Sequence, residues 1–193
     1  MISSNYIFKS KVLAQTSVPE DITISADKLM KSKNSQEKFI GTVLEGAVKN
    51  YEKYKVLPSV TIAQAILESG WGKSDKAVKY SNLFGIKADK SWKGKKVKLT
   101  SKEWSKGKMR TVTTYWRVYD SIEASILDHG NFLATRPWYT KAGVFKANNY
   151  VQQISAIKKG GYCTDPKYVS SICRIINTYD LWKYDPKGKE IKL

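Results

Sequence analysis

The sequence predicts a mainly helical (α+β) domain with a small β-hairpin lobe inserted after its second helix. Three observations predict it. Apolar residues recur at helical spacing over most of the chain, one stretch in the middle switches to strict alternation, and Pro or Gly punctuates each change. Phe39, Ile40, Val43, Leu44, Ala47, Val48, Tyr51 and Tyr54 make an amphipathic helix from Ser35 to about Lys55. Leu57-Pro58-Ser59 breaks and restarts the chain, since Pro58 suits the first turn of a helix; "SVTIAQAILES" follows and Gly70 ends it. After "NLFGIK", "KKVKLTSKEW" and "KMRTVTTYWRVY" flank "SKG" with β-branched and aromatic residues on alternate positions, a hairpin pattern. Asp120-Ser121 caps a helix carrying Ile122, Ile126, His129, Phe132 and Leu133. A further helix runs from about Asn148 to Lys158 and stops at Gly160-Gly161. Asp165-Pro166 starts the last, with Val169, Ile172, Cys173 and Ile176 as its inner stripe. Residues 1–34, polar and interrupted by Pro19, read as an arm or linker with little core of their own; 35–185 form the folded domain and 186–193 a tail.

A chain of 193 residues removes roughly 70% of its accessible surface on folding, so its core needs no disulfide or metal. Two cysteines, Cys163 and Cys173, and the single His129 make no metal-ligand spacing, and no cofactor is expected; the thiols are either core residues or one local bridge. No run approaches the ~20 apolar residues that span a bilayer. The first residues also lack the apolar segment of ~7–15 residues of a signal peptide, so another route of delivery, or a lost leader, is expected. Lys and Arg outnumber Asp and Glu by 34 to 17, and the +17 balance points to a polyanionic partner. Aromatics at 12% supply flat faces for bases or sugar rings. Composition does not choose between nucleic acid, an acidic membrane and a bacterial wall.

Chemistry enters at "AILESGWG". Glu68 lies in the last turn of its helix, at the edge of the stripe marked by Ile62, Ala65, Ile66 and Ser69. The carboxyl end of a helix disfavours a negative charge, and partial burial beside Trp71 removes water; both raise the pKa and favour a protonated acid. Gly70 and Gly72 let the backbone turn and expose what Glu68 faces. The alternative is an exposed last-turn acid beside a core tryptophan. Glycoside hydrolysis usually needs a second carboxylate. Asp120 reads as a cap, while Asp75 and Asp89 sit in lysine-rich loops as solvated charges. Glu103, between Lys102 and Trp104 near the hairpin turn, can be lowered towards Glu68 if the hairpin folds over a cleft. Its bland reading is a solvated edge charge. His129 lies on a helix stripe with no partner motif and reads as packing.

Four blocks in order, "LPSVTIAQAILESGWGKS", "SNLFGIK", "SKEWSKGKMRTVTTYWRVYDSIEASILDHGNFL" and "GYCTDPKYVSSI", resemble bacterial cell-wall glucosaminidases of glycoside hydrolase family 73 from about Phe39 to Leu181. The resemblance implies a lysozyme-like helical fold and hydrolysis of the N-acetylglucosaminyl-β-1,4-N-acetylmuramic acid bond of peptidoglycan. It implies Glu68 as general acid, Glu103 as base or electrostatic helper, and Tyr162 as a cleft residue. This chain departs from the family in placing Cys163 after that tyrosine. Trp71, Phe84, Tyr139 and Tyr162 lie beside motif loops as candidate sugar-stacking residues, and Asn82 as an acetamido partner or a turn residue.

The expected partners are peptidoglycan glycan strands and anionic wall polymers, with no nucleic acid and no membrane span. A phage lysin, a tail component and an autolysin all fit, the N-terminal arm offering an attachment to a larger assembly, and the place of action is the bacterial cell wall. The competing readings are a muramidase or lytic transglycosylase on the same fold, and a catalytically silent basic module for wall or nucleic acid.

Overall fold

In a computed structural model of the chain, residues 18–105 and 108–192 are described, 101–105 and 108 by their backbone alone. The described residues hold eight α-helices, two short 3-10 helices and one two-stranded antiparallel sheet; the mainly helical class with a hairpin lobe is the one the sequence predicts, although it predicts only five of the helices. The helix α2 spans Ser35–Tyr54, capped by the Asn34 side chain, which accepts from the Gln36 amide at 2.8 Å. Helix α3, Pro58–Ser69, is the central element. Every residue from Pro58 to Ile66 is buried, which is what a helix surrounded by others requires. Both ends are tied down. The amide of Leu57 donates to the buried Gln153 side chain of α7 (Tyr150–Lys159) at 2.7 Å. Past the other end, Gly70, Trp71 and Gly72 all have positive φ, and the Gly72 amide donates to Ser69 Oγ at 2.7 Å.

Three more helices complete the domain: α5 (Ile122–Ala134), whose N-cap is Ser121, packs on α2; α6 (Pro137–Ala142) lies against α5 and α7; and α8 (Tyr168–Thr178) packs on α3. Asp120, expected in the cap, instead pairs with Lys95 at 2.6 Å on the surface. On α8, Ile172, Cys173 and Ile176 are buried as their spacing predicts. Cys163 and Cys173 are both free thiols, and burial pushes Cys173 up to about 11.

The hairpin pairs β1 (Lys96–Ser105) with β2 (Lys108–Arg117) in continuous register from Lys96↔Arg117 to Ser105↔Lys108. Its base is not a free stalk. Residues 86–88 run beside β2: the Arg117 amide donates to the Ile86 carbonyl at 3.1 Å and the Ala88 amide to the Tyr115 carbonyl at 2.8 Å.

Two expectations about the ends are corrected. Within 1–34, residues Glu20–Met30 form a helix, α1, that packs on α2 with Ala26 fully buried. The close approach is at Gly41, where a Cβ would stand 2.8 Å from the Ala26 carbonyl; Ala26 is the only fully buried residue of α1, with Ile22 and Leu29 packed partly buried beside it, so its apolar stripe is short. The tail is also docked: the Ile191 amide donates to Tyr150 Oη at 2.7 Å, and Asn177 Nδ2 donates to the Ile191 carbonyl at 2.9 Å. The short α4, Asp75–Tyr80, lies between α3 and the hairpin. Among the described residues no helix is long and apolar enough to cross a membrane.

Candidate active site

A cleft of about 520 Å3 opens between the last turn of α3, the loop 84–89, the α5–α6 junction and the loop 161–163. Glu68 lines it together with Phe84, Phe132, Trp138, Tyr139 and Tyr162. A larger groove, about 670 Å3, runs between α1 and Tyr184, but its rim of Asp21, Lys28, Glu37 and Lys183 has neither this aromatic wall nor Glu68.

Glu68 itself keeps surface open to solvent because the cleft is open above it. The protein packed around the carboxyl still removes enough water to raise its pKa, and the Tyr168 hydroxyl and the Lys76 ammonium pull part of that back. Tyr168 Oη donates to Glu68 Oε1 at 3.2 Å and accepts from Gln64 Nε2 at 2.8 Å. Burial and the neighbouring Glu68 hold the Tyr168 phenol far above its ordinary range, so it remains a donor. Gln64 and Tyr168 were not candidates in the sequence, although both lie inside motif blocks. Gln64 sits one helical turn before Glu68, and that i, i+4 spacing was the signal that could have found it.

Several candidate residues land elsewhere than expected. Trp71 does not line this cleft. The three successive left-handed residues swing its ring to the other side of α3, where it meets Phe39 edge-on at 6.0 Å and Tyr179 at 5.0 Å. The apolar wall beside Glu68 is made by the residues of loops 84–89 and 161–163 instead. Asn82 is 1% exposed and fully engaged: its Nδ2 donates to the carbonyls of Ile86 and Arg117 at 3.0 and 2.8 Å, and its Oδ1 accepts from the Ile86 amide at 2.9 Å. It is the turn residue, stapling the cleft loop to the foot of β2, and its burial keeps it from an acetamide in the cleft. Phe84 and Tyr139 do line the cleft but are 4% and 3% exposed, so they form its floor rather than an open platform. Trp138, beside Tyr139, is 52% exposed and is the large aromatic face the cleft offers. Pro137, which starts α6, presents it there.

Tyr162 lines the cleft, but its hydroxyl is turned inward and has no partner among the described residues. Burial, with Tyr168 and Glu68 close by, raises its pKa well above the ordinary phenol value. Beneath it His129 is fully buried, stacked on Phe84 at 4.1 Å, and burial alone drives its pKa down to about 3. It is therefore a neutral core ring, as its place on a helix stripe predicts.

Asp89 is exposed, as a loop charge is expected to be, and it is also a second carboxylate on the cleft. Its Oδ1 accepts from the Ser91 amide and hydroxyl, and its Oδ2 faces Arg136 and Arg117. The Ser91 hydroxyl bond, backed by both guanidiniums, lowers its pKa. With both oxygens committed, it anchors the Arg136 side of the cleft. Glu103 pairs by backbone with Arg110 near the tip of the hairpin; its side chain lies outside the described residues.

This geometry offers a glycan-sized groove with one acid held partly dry at its base, an aromatic face and a basic rim. The comparisons with known proteins agree with it. The glucosaminidase family, described as mannosyl-glycoprotein endo-beta-N-acetylglucosaminidase, matches over residues 44–181. The chain is 40% identical over 185 residues to "Exo-glucosaminidase LytG" of Bacillus subtilis, covering 94% of this chain and 64% of that protein. It is 39% identical over 158 residues to a "Probable N-acetylmuramidase" of Lactococcus lactis subsp. cremoris, covering 79% of this chain and 36% of that protein. The chain thus spans less than two thirds of these relatives. The crystal structure of the catalytic domain of the autolysin Auto from Listeria monocytogenes superposes with a TM-score of 0.71 at 31% identity, covering 88% of this chain and 98% of that one. The chain belongs to the glucosaminidase family of glycoside hydrolases, family 73.

Proposed function

We propose that this domain hydrolyses the β-1,4 bond between N-acetylglucosamine and N-acetylmuramic acid in peptidoglycan, with Glu68 as general acid. The observation that carries the reading is the environment of that side chain: a carboxyl with a raised pKa at the base of an aromatic-walled cleft. As the bond between the anomeric carbon and the bridging oxygen breaks, the electron pair stays on the oxygen, which takes the Glu68 proton. Water adds at the anomeric carbon and gives up its surplus proton to a base. Glu103 is the family candidate for that base, or for an electrostatic helper if the substrate's own acetamido group attacks first. The cell wall is the place of action, its anionic polymers are drawn to the +17 surface, and the N-terminal segment is a candidate attachment to a larger assembly.

Digestion of purified peptidoglycan with mass spectrometry of the fragments tests the reading. A glucosaminidase leaves N-acetylglucosamine at the new reducing end, and fragment length separates endo from exo cleavage. Glu68→Gln should still bind walls while losing hydrolysis by several orders of magnitude; undiminished hydrolysis removes the assignment. The names of the Lactococcus relatives favour a second reading, a muramidase on the same fold, for which the new reducing end is N-acetylmuramic acid.

A further inference from the structure

We propose that Gln64 and Tyr168 are positioning residues that decide which oxygen of Glu68 carries the catalytic proton. The proposal rests on the reading of Glu68 as the acid. Gln64 and Glu68 are four residues apart on α3, so they project from one face. Tyr168 is the first residue of α8, only 2% exposed, and its hydroxyl reaches between them. A phenol has one hydrogen to donate. With Gln64 Nε2 donating into Tyr168 Oη at 2.8 Å, that hydrogen is left to the acceptor on the other side, Glu68 Oε1 at 3.2 Å.

The consequence is directional. Oε1 already accepts a hydrogen bond, so the proton of the neutral acid sits on Oε2, which has no partner among the described residues and is the oxygen left for a substrate. When that proton leaves with the departing sugar oxygen, the charge that develops on the carboxylate is met by a donor already aimed at it. Such a bond strengthens as its acceptor becomes an anion, so it serves the transition state more than the resting acid. Tyr168 keeps its own proton throughout, because burial and Glu68 hold its phenol above its ordinary range. No acid or base other than Glu68 changes state in this step.

Tyr168→Phe tests this by removing one oxygen and leaving the ring in place. The kcat–pH profile on soluble glycan fragments is the readout, with the Glu68 carboxyl followed by carbon NMR. Without its donor the Glu68 carboxylate is harder to form, so the basic limb and the NMR titration should move up by about one to two pH units. The value of kcat at its optimum should fall at least about tenfold with KM little changed. Gln64→Met keeps Tyr168 but frees its hydroxyl to turn, and should give part of the same shift; it decides the matter alone if Tyr168→Phe does not fold. A limb that stays put in these variants, with only thermal stability lowered, reduces the pair to packing and overturns the proposal. A limb that moves down, as it would if Glu68 donated to Tyr168, overturns it as well. The reading of Glu68 fails separately, through an active Glu68→Gln.

Discussion

Asp185 accepts hydrogen bonds from both the amide and the hydroxyl of Ser59, at 2.9 and 2.7 Å, and so closes the N-terminus of the helix that carries Glu68 in its last turn. One end of α3 is capped by a carboxylate from 126 residues further along the chain, and the other carries the acid. Burial raises Asp185 to about 6 from an ordinary 3.8, while the Ser59 bonds pull it down. A carboxyl raised in the folded state binds its proton more tightly there than in the unfolded chain. Its stabilising contribution is therefore complete below pH 3.8 and is lost as pH rises through about 6. Between pH 4 and 6.5 the unfolding free energy of the wild type from urea titration should fall relative to that of Asp185→Asn, by up to about 3 kcal/mol less whatever the α3 dipole returns. Parallel curves for the two proteins would show that Asp185 does not titrate in this window.

Trp138→Ala should weaken substrate binding more than chemistry. The ring is half exposed on the cleft and touches no group of the Glu68 array, so KM should rise about tenfold while kcat changes little. Trp71→Ala is the control: that ring packs between Phe39 and Tyr179, so its loss should lower thermal stability and leave KM unchanged.

Asn82→Ala separates a staple from a substrate contact. It strips partners from the Ile86 amide and from the carbonyls of Ile86 and Arg117, all at a buried site, at about 1–3 kcal/mol for each group left unpaired. The expected result is a fall in Tm of several degrees. A raised KM at unchanged Tm would restore the acetamido role.

Gly130→Ala should destabilise the packing of α5 on α2. A Cβ at Gly130 would overlap Asn50 Oδ1 and stand 2.6 Å from Tyr54 Cδ2. Overpacking of this kind costs about 1–3 kcal/mol, against less than about 1 kcal/mol returned by the better helix propensity of alanine. Thermal unfolding should show a lower midpoint, with activity per folded molecule retained.

Most of the fold was legible because its signals are local. The stripe from Phe39 to Tyr54, Pro58 at the head of α3, Gly70 past its end and the alternation of 96–117 each report on a few neighbouring residues, and each element formed there. The short α4 and α6 and the docked α1 were not legible. Six residues carry too little period, and in α1 only Ala26 is fully buried, with Ile22 and Leu29 partly so, which makes a short stripe. In the cleft, Glu68, Phe84, Tyr139 and Tyr162 come together, whereas Trp71 and Asn82 do not join them. Trp138 escaped because nothing in "RPWYT" distinguishes an exposed ring from a buried one.

Helix starts and stops, and the acid in the last turn of the central helix, are written in short-range signals, because φ preferences and apolar spacing act over a turn or two of chain. Long-range packing is what brings Tyr168, one hundred residues away, to Glu68, sets Asp185 on Ser59, and turns Trp138 rather than Trp71 to the cleft. Those outcomes follow from how α3, α6 and α8 pack and from which way a left-handed turn throws a side chain. A residue's local pattern carries no record of its distant neighbours.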